Sequence, residues 1–507
     1  MYERNHLAAR LRKASIGFED APFLHDRQTG ETVTYGDFFA NAERMAAVLA
    51  AAGVCPGDRV AVQAPKTRAM LELYVGTVMA GGVFLPLNPA YTGAELAYFL
   101  NDAEPRLLVC DPGRRDTLGP VAEQAGVAEI LTIAADEGGS LTARRDRADP
   151  GFTVVERGPD DLAAILYTSG TTGRSKGAML THDALASNSQ TLRDCWRFGR
   201  DDVLIHALPI FHTHGLFVAT NIALMSGSSC IFLSGFDART VLDCMPQATA
   251  LMGVPTFYVR LLELDGLARA AGGMRLFVSG SAPLLAETHD RWRKVTGHAI
   301  LERYGMTETN MNTSNPYDGE RRAGTVGFPL PGVELVVTDP DTGAERERGE
   351  IGVIEVRGPN VFAGYWRMPE KTREELRENG FFITGDLGRI DGDGYVHIVG
   401  RGKDLIITGG YNVYPKEVEL LIDDLPGVRE SAVIGVPHPD FGEAVVAVVV
   451  PETGAAPTPE QVMAGIEADL ARFKQPKRVF IVDELVRNTM GKVQKNVLRE
   501  RYRAVFA

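Results

Sequence analysis

The run Tyr167-Thr168-Ser169-Gly170-Thr171-Thr172-Gly173-Arg174-Ser175-Lys176-Gly177 follows directly on the apolar segment LAAIL at Leu162–Leu166. Glycines let backbone N–H groups approach an anion closely, hydroxyls donate to its oxygens, and a lysine supplies charge. A polyphosphate is the natural guest. The G-x-x-x-x-G-K-[ST] pattern is not met, because Ser175 precedes Lys176 and Gly177 follows it, so the kinase and P-loop NTPase readings lose most of their support. A flexible Ser/Gly linker would rarely sit hard against a buried strand.

Outward from this loop, helical and β patterns alternate. Tyr35–Ala52 carries apolar residues at helical spacing, and Arg59–Gln63 reads as a strand after the Pro56-Gly57-Asp58 turn. Thr67–Ala80 predicts a second helix ending at Gly81-Gly82, before the strand VFLPL. Leu107–Cys110 is another short buried strand. Such alternation points to α/β layers with largely parallel sheets. From Val333 to Gly364 the rhythm becomes antiparallel β. The strongest boundary lies at Gly400-Arg401-Gly402-Lys403. Beyond it come a strand, a helix (Pro415–Asp424), the strands SAVIGV and AVVAVVV, a helix (Pro459–Ala471), the strand RVFIV and a basic tail. That tract is large enough to fold as its own α+β domain.

The 507 residues fit roughly three folding units. With 53 basic against 66 acidic side chains the formal charge is −13, which disfavours nucleic acid and anionic membranes as partners. The cluster Lys474, Lys477, Arg478, Lys492 and Lys495 more plausibly meets small-molecule phosphates. Five scattered cysteines form no CxxC pair, so a cytoplasmic protein with reduced thiols is expected. The most apolar stretch, Ala444–Val450, is far short of the roughly 20 residues of a membrane span.

Four further motifs stand in order after the first: Tyr304-Gly305-Met306-Thr307-Glu308, Thr384-Gly385-Asp386, Gly400-Arg401-Gly402-Lys403-Asp404 and Asn488-Thr489-Met490-Gly491-Lys492. Together with YTSGTTGRSKGAMLTH they resemble the signature motifs of the adenylate-forming superfamily of acyl-CoA synthetases, luciferases and peptide-synthetase adenylation domains. The resemblance implies an α/β fold. A large N-terminal domain of layered α/β subdomains with a small β-barrel-like portion would span 1–400. A hinge at 401–403 and a small mobile α+β domain at 404–507 would follow. It also implies an acid activated by ATP to an acyl-adenylate, then passed to a thiol, with ATP, Mg²⁺ and coenzyme A bound and a monomer or weak homodimer as the working state.

By the same resemblance, Lys492 is the principal catalytic cation, bridging carboxylate and α-phosphate. Thr307 and Glu308 serve the phosphate and its metal, with Thr171 as a second metal contact; a hydroxyl beside a carboxylate suits Mg²⁺, a hard cation, and is also a helix N-cap composition. Thr168, Ser169, Gly170, Thr171, Thr172, Gly173 and Lys176 would hold the phosphates. Ser281, Ala282, Pro283, Glu302, Arg303 and Tyr304 would line the adenine and α-phosphate side. Asp386 would take the ribose hydroxyls, and Arg401 the ribose or phosphate. Lys403 would be the pivot, and Gly409, Gly410 and Tyr411 would meet the pantetheine arm.

The acid is read from departures. Arg303 stands where many relatives have a small or apolar residue, and a permanent cation near an acyl pocket is costly unless an anion answers it. Its fork matches a carboxylate. Asn310-Met311-Asn312-Thr313 and the run His206–Gly215 add polar groups, with His212 expected as a packed gate beside the acid. ERYGMTETNMNTSNPYDG and HALPIFHTHGLF resemble malonyl-CoA synthetases, which implies a small dicarboxylic acid, malonate or methylmalonate. The alternatives are a ligase for short or medium monocarboxylic acids and a carrier-linked adenylating enzyme. An internal ion pair with Glu302 or Glu308 would make Arg303 structural instead.

Overall fold

The computed structural model describes residues 2–168, 175–340, 342–408, 411–467, 469–470, 472–488 and 491–506. Two compact units emerge: Met1–Glu334 with Val356–Phe382, and Leu335–Glu355 with Ile383–Ala507.

The first unit holds two large sheets. One runs Glu129–Thr132, Leu107–Cys110, Arg59–Gln63, Val83–Pro86, Leu162–Thr168, Lys176–Thr181. Its first five strands are parallel and the last is antiparallel. The helices predicted before and after Arg59–Gln63 form at Tyr35–Ala51 and Arg68–Met79. Thr34 and Thr67 cap them by accepting from the N–H groups of Asp37 and Met70, which satisfies donors with no partner inside the helix. Val83–Pro86 and Leu107–Cys110 are apolar along their whole length because side chains are covered on both faces: Ala61, Leu85, Leu108 and Ile165 meet Leu96, Phe99 and Leu118 in one core.

The second sheet has six parallel strands at its centre, in the order Leu301–Met306, Leu276–Ser279, Ala250–Gly253, Val203–His206, Ser229–Phe232 and Pro22–Asp26. Antiparallel strands flank it, Asn310–Ser314 and Phe328–Pro329 on one side and Thr32–Thr34 on the other. In open parallel sheets ligands bind beyond the carboxyl ends of the strands. Here those ends carry His206, Gly280–Pro283 and Arg303–Glu308.

The second unit contains most of a sheet of Glu334–Thr338, Gly352–Arg357, Phe382–Ile390 and Val396–Arg401. The expected hinge residues open the short 3-10 turn Gly402–Asp404 within this unit. A second sheet of five strands is built on the antiparallel pair Val428–His438 and Gly442–Pro451. The run Ala444–Val450 is apolar throughout because both faces are covered. Val445, Ala447 and Val449 meet Val418, Ile422 and Val462, while Val446, Val448 and Val450 meet Leu485, Leu498 and Tyr502. The tail is thus more than basic: Lys495–Tyr502 is a helix whose Leu498 and Tyr502 close the second core. The helix predicted at 459–471 stops earlier, at Ile466, after a Thr458–Gln461 capping box at its start. No helix among the described residues is long and apolar enough to cross a membrane.

Candidate active site

The phosphate loop joins the strands Leu162–Thr168 and Lys176–Thr181, which pair antiparallel with Thr168 opposite Lys176. A strand–loop–strand hairpin also separates this loop from the strand–loop–helix of P-loop enzymes. Ser169, Gly170, Thr171, Thr172 and Gly173 lie outside the described residues. The base of the hairpin is anchored: the Tyr167 hydroxyl donates to Asp102 at 2.5 Å and Tyr98 donates to the Ser175 carbonyl at 2.6 Å. Lys176 Nζ lies 3.1 and 3.2 Å from the two carboxylate oxygens of Glu375.

Thr307–Thr309 form the turn of a hairpin between Leu301–Met306 and Asn310–Ser314. No helix follows, so Thr307 is not an N-cap. The turn closes through Thr309 N–H on the Met306 carbonyl at 3.2 Å, with Asn310 in the left-handed region at φ 49°, a conformation asparagine tolerates. Glu308 is buried, and its Oε1 lies 3.0 Å from the Tyr365 hydroxyl. Among the described residues no group of three or more His, Cys, Asp or Glu could hold a metal. A single buried carboxylate next to the Thr307 hydroxyl fits Mg²⁺ nonetheless, since that ion is usually bound by one or two carboxylates plus substrate phosphates and water.

Arg303 is only 2% exposed. The added Cβ of any other residue at 280 would come within 2.5 Å of its guanidinium carbon, so Gly280 is what allows the guanidinium to lie against the backbone. Its Nη2 is 3.4 Å from Ser281 Oγ, and its Nε is buried without a hydrogen-bond partner. No carboxylate of the described residues pairs with it: Glu302 accepts from the Leu284 N–H at 3.2 Å and Glu308 faces Tyr365. The internal ion pair that would have made Arg303 structural does not form. Burial, countered in part by Tyr258 and Glu302, brings its pKa down to about 9, which leaves it charged at neutral pH.

Ser281 sits in the left-handed region at φ 70°, a strained position for a non-glycine residue of the kind that collects at functional sites. Its hydroxyl also lies 3.4 Å from His214 Nδ1. His214 is buried, and burial followed by the Arg303 charge holds it well below the usual histidine range, hence neutral. The structure thus brings His214 to Arg303 through Ser281. His212, the histidine singled out from sequence, is half-buried and tilts against Phe211 at 4.6 Å. His214–Thr220 is a π-helical turn, a rare geometry frequent at functional sites that no sequence periodicity announces.

Asn310, Asn312 and Thr313 are fully buried, and part of their hydrogen-bonding capacity goes to the fold, while Asn310 Oδ1 and Asn312 Nδ2 are buried without a partner. Asn310 Nδ2 donates to the Ala184 and Asn360 carbonyls, Asn360 Nδ2 donates to Asn312 Oδ1 at 3.1 Å, and Thr313 donates to the Val326 carbonyl. Lys66 was not foreseen. Its ammonium donates to the His206 carbonyl at 2.8 Å and lies 3.1 Å from His206 Nδ1. Tyr365 and Glu375 were missed as well, because they belong to no motif.

In the second unit Asp386 is buried and pairs with Arg401 Nε at 2.6 Å across neighbouring strands in register. Lys403 and Tyr411 are exposed; Gly409 and Gly410 lie outside the described residues. Lys492 is exposed, its N–H donating to Asn488 Oδ1 and its carbonyl accepting from the Asn488 N–H, both at 2.9 Å. Arg487 donates to the Gly491 carbonyl and pairs with Glu430, and Lys495 pairs with Glu419.

The AMP-binding enzyme family matches residues 11–366, and the AMP-binding enzyme C-terminal domain matches 417–492. Malonate–CoA ligase of Arabidopsis thaliana is 35% identical over 481 residues, covering 88% of this chain and 78% of the plant protein. Feruloyl-CoA synthase of an Amycolatopsis species is 37% identical over 481 residues, covering 94% and 95%. The crystal structure of ATP-bound MatB from Rhodopseudomonas palustris is 60% identical, covers 99% of this chain and 100% of that one, and superposes with a TM-score of 0.97. With motifs, sheets and relatives in agreement over nearly its whole length, the chain belongs to the AMP-binding enzyme family and has the adenylate-forming fold.

Proposed function

We propose that this protein ligates malonate to coenzyme A in two half-reactions. The carboxylate first attacks the α-phosphate of ATP, giving malonyl-adenylate and pyrophosphate. The thiol of coenzyme A then attacks the activated carbonyl and AMP leaves. The observation that carries the substrate is Arg303: a buried guanidinium with an unpartnered Nε, seated on Gly280 and next to the Ser281 hydroxyl. A buried cation is expensive unless an anion pairs with it, and the carboxylate of malonate that does not react is such an anion, matched to the fork in two-point geometry. Neutral His214 leaves Arg303 as the charge that selects.

The remaining roles follow the motifs. Thr168 and the loop 169–173 take the phosphates, while Ser281–Pro283 and Glu302–Tyr304 flank the nucleotide. Glu308 and Thr307 would hold Mg²⁺, which neutralises charge on the phosphate oxygens when bound. Asp386 and Arg401 meet the ribose, and Lys492 supplies the positive charge at the α-phosphate. A lysine is a compact charge on a long stem, and positioned cations stabilise the charge that builds there in the transition state. Lys403 is the pivot, and Gly409, Gly410 and Tyr411 meet the pantetheine arm.

The test is AMP release by the purified protein with ATP, Mg²⁺ and coenzyme A, offered malonate, methylmalonate, succinate, acetate, butyrate and ferulate. Malonate-selective, CoA-dependent turnover is expected. Preference for ferulate or another monocarboxylate would keep the family chemistry and refute the reading of Arg303.

A further inference from the structure

Lys176 is the one charged side chain of the phosphate loop's second strand, yet its charge is already answered. Both carboxylate oxygens of Glu375 lie within 3.2 Å of its ammonium, and the ring of Tyr365 lies 4.1 Å below it. A phosphate would have to displace two charge-assisted hydrogen bonds to claim it. Glu375 in turn accepts the Tyr365 hydroxyl at 2.6 Å and pairs with Lys371 at 3.0 Å. Burial raises the Glu375 carboxyl, but Tyr365, Lys371 and Lys176 outweigh it and hold the group below its ordinary value. A hydroxyl carries one proton, so Glu308, whose Oε1 lies 3.0 Å from the same oxygen, shares it with Glu375 in a three-centre hydrogen bond.

The backbone ties these groups together. Tyr365 bridges to Ala178 on the strand that Lys176 opens, Trp366 N–H donates to the Gly177 carbonyl at 2.7 Å, and Phe362 N–H donates to the Glu308 carbonyl at 2.8 Å. The segment 362–366 therefore spans from the phosphate-loop strand to the candidate metal ligand, and Glu375 fixes its central side chain.

We propose that Glu375 and Tyr365 are positioning residues of the nucleotide pocket: Lys176 secures Glu375, Glu375 orients the Tyr365 hydroxyl, and Tyr365 sets the Glu308 carboxylate for Mg·ATP, so that Lys176 acts through this chain rather than on a phosphate. The assignment rests on Glu308 being the Mg²⁺ ligand of an ATP site, as proposed above.

Calorimetric titration of Mg·ATP into the full-length protein tests it without relying on turnover. Tyr365→Phe and Glu375→Gln should each weaken Mg·ATP binding about tenfold, the scale of one hydrogen bond to a charged group. Both should raise the Mg²⁺ concentration needed for half-saturation and leave the malonate KM within about twofold. Lys176→Met should lose as much as Glu375→Gln, and the double variant no more than either, because the two act in one chain. Lys371 keeps the Glu375 charge compensated in Lys176→Met. Additive losses, or a Glu375→Gln protein that binds Mg·ATP as tightly as the parent while Lys176→Met does not, would make Lys176 a direct phosphate ligand and overturn the proposal. Should Glu375→Gln fail to fold, Tyr365→Phe decides alone: it keeps the ring under Lys176 and removes one oxygen, and unchanged affinity refutes the chain. A parent protein that binds no Mg·ATP would instead overturn the nucleotide site itself.

Discussion

Arg303 and Lys492 are the two cations on which the proposed chemistry leans, and they sit in opposite settings. Arg303 is in a strand, opposite Ser314 of the neighbouring strand, with its charge already withdrawn from water. Lys492 is exposed, its backbone bonded to Asn488 and its neighbours Arg487 and Lys495 paired with Glu430 and Glu419. In the proposed reading the buried cation, its desolvation cost met during folding, would discriminate between acids: a second carboxylate recovers the cost and a methyl group does not. The exposed cation carries no such penalty. It would select nothing by itself and contribute where negative charge develops, which is the condition for raising kcat rather than affinity.

The sharpest break in this comparison is Arg303→Leu. Malonate kcat/KM should fall by about 2–5 kcal/mol, because a carboxylate is left without its partner in a dry pocket, while acetate or butyrate should change little. Equal losses for all acids would show Arg303 to be part of the scaffold. Lys492→Ala should reduce adenylation for every acid alike, by about 3–4 kcal/mol, the usual cost of removing one transition-state donor, with the melting temperature unchanged. Malonate-dependent pyrophosphate exchange at the parent rate in that variant would remove Lys492 from the first half-reaction.

Arg487→Ala probes how far the exposed cation depends on these neighbours. It removes the contact to the Gly491 carbonyl and the Glu430 ion pair without touching Lys492 itself. About a tenfold loss in the adenylation rate is expected, since misplacing a catalytic group is costly even when its chemistry is intact. A Lys495→Gln variant, which breaks the Glu419 contact on the other side, should show a smaller loss of the same kind. An unchanged rate in both would mean that the backbone bonds to Asn488 hold Lys492 by themselves.

The difference between the two settings also decides what could be read beforehand. Buried strands such as Arg59–Gln63 and Leu107–Cys110 were legible because local pattern and tertiary burial demand the same residues there. Lys492 and Asp386 are marked by their motifs, and their roles are proposals. Arg303 was legible as an oddity, a charge where apolar chemistry is common. Its neighbours were not: His214 reaches Ser281 only because a π-helical turn rotates it inward, and nothing in the spacing distinguishes it from His212. Asn310 shows the converse. A polar side chain near a site looks like a ligand contact until the backbone carbonyls its amide satisfies, those of Ala184 and Asn360, are in view. Tyr365 and Glu375 act only through contacts made far along the chain, which single-sequence patterns do not carry.

The smallest effect separates the two cations by titration. Burial brings Arg303 down to about 9, whereas an unfolded arginine stays protonated beyond pH 12. As pH rises through about 9, the folded free enzyme loses the Arg303 proton and with it the attraction for the second carboxylate. Malonate kcat/KM, which reports the free enzyme, should therefore decline with a midpoint near pH 9, and acetate kcat/KM should not share that limb. Stability runs the other way. Above that pH the unfolded chain binds one more proton than the native one, so this group's contribution to stability rises with pH. The unliganded Arg303→Leu protein should accordingly melt no lower than the parent at pH 7, and the advantage should shrink toward pH 10. A variant that melts well below the parent would show that the guanidinium is held by interactions worth more than its desolvation, and Arg303 would then resemble a structural cation rather than a charge waiting for its anion.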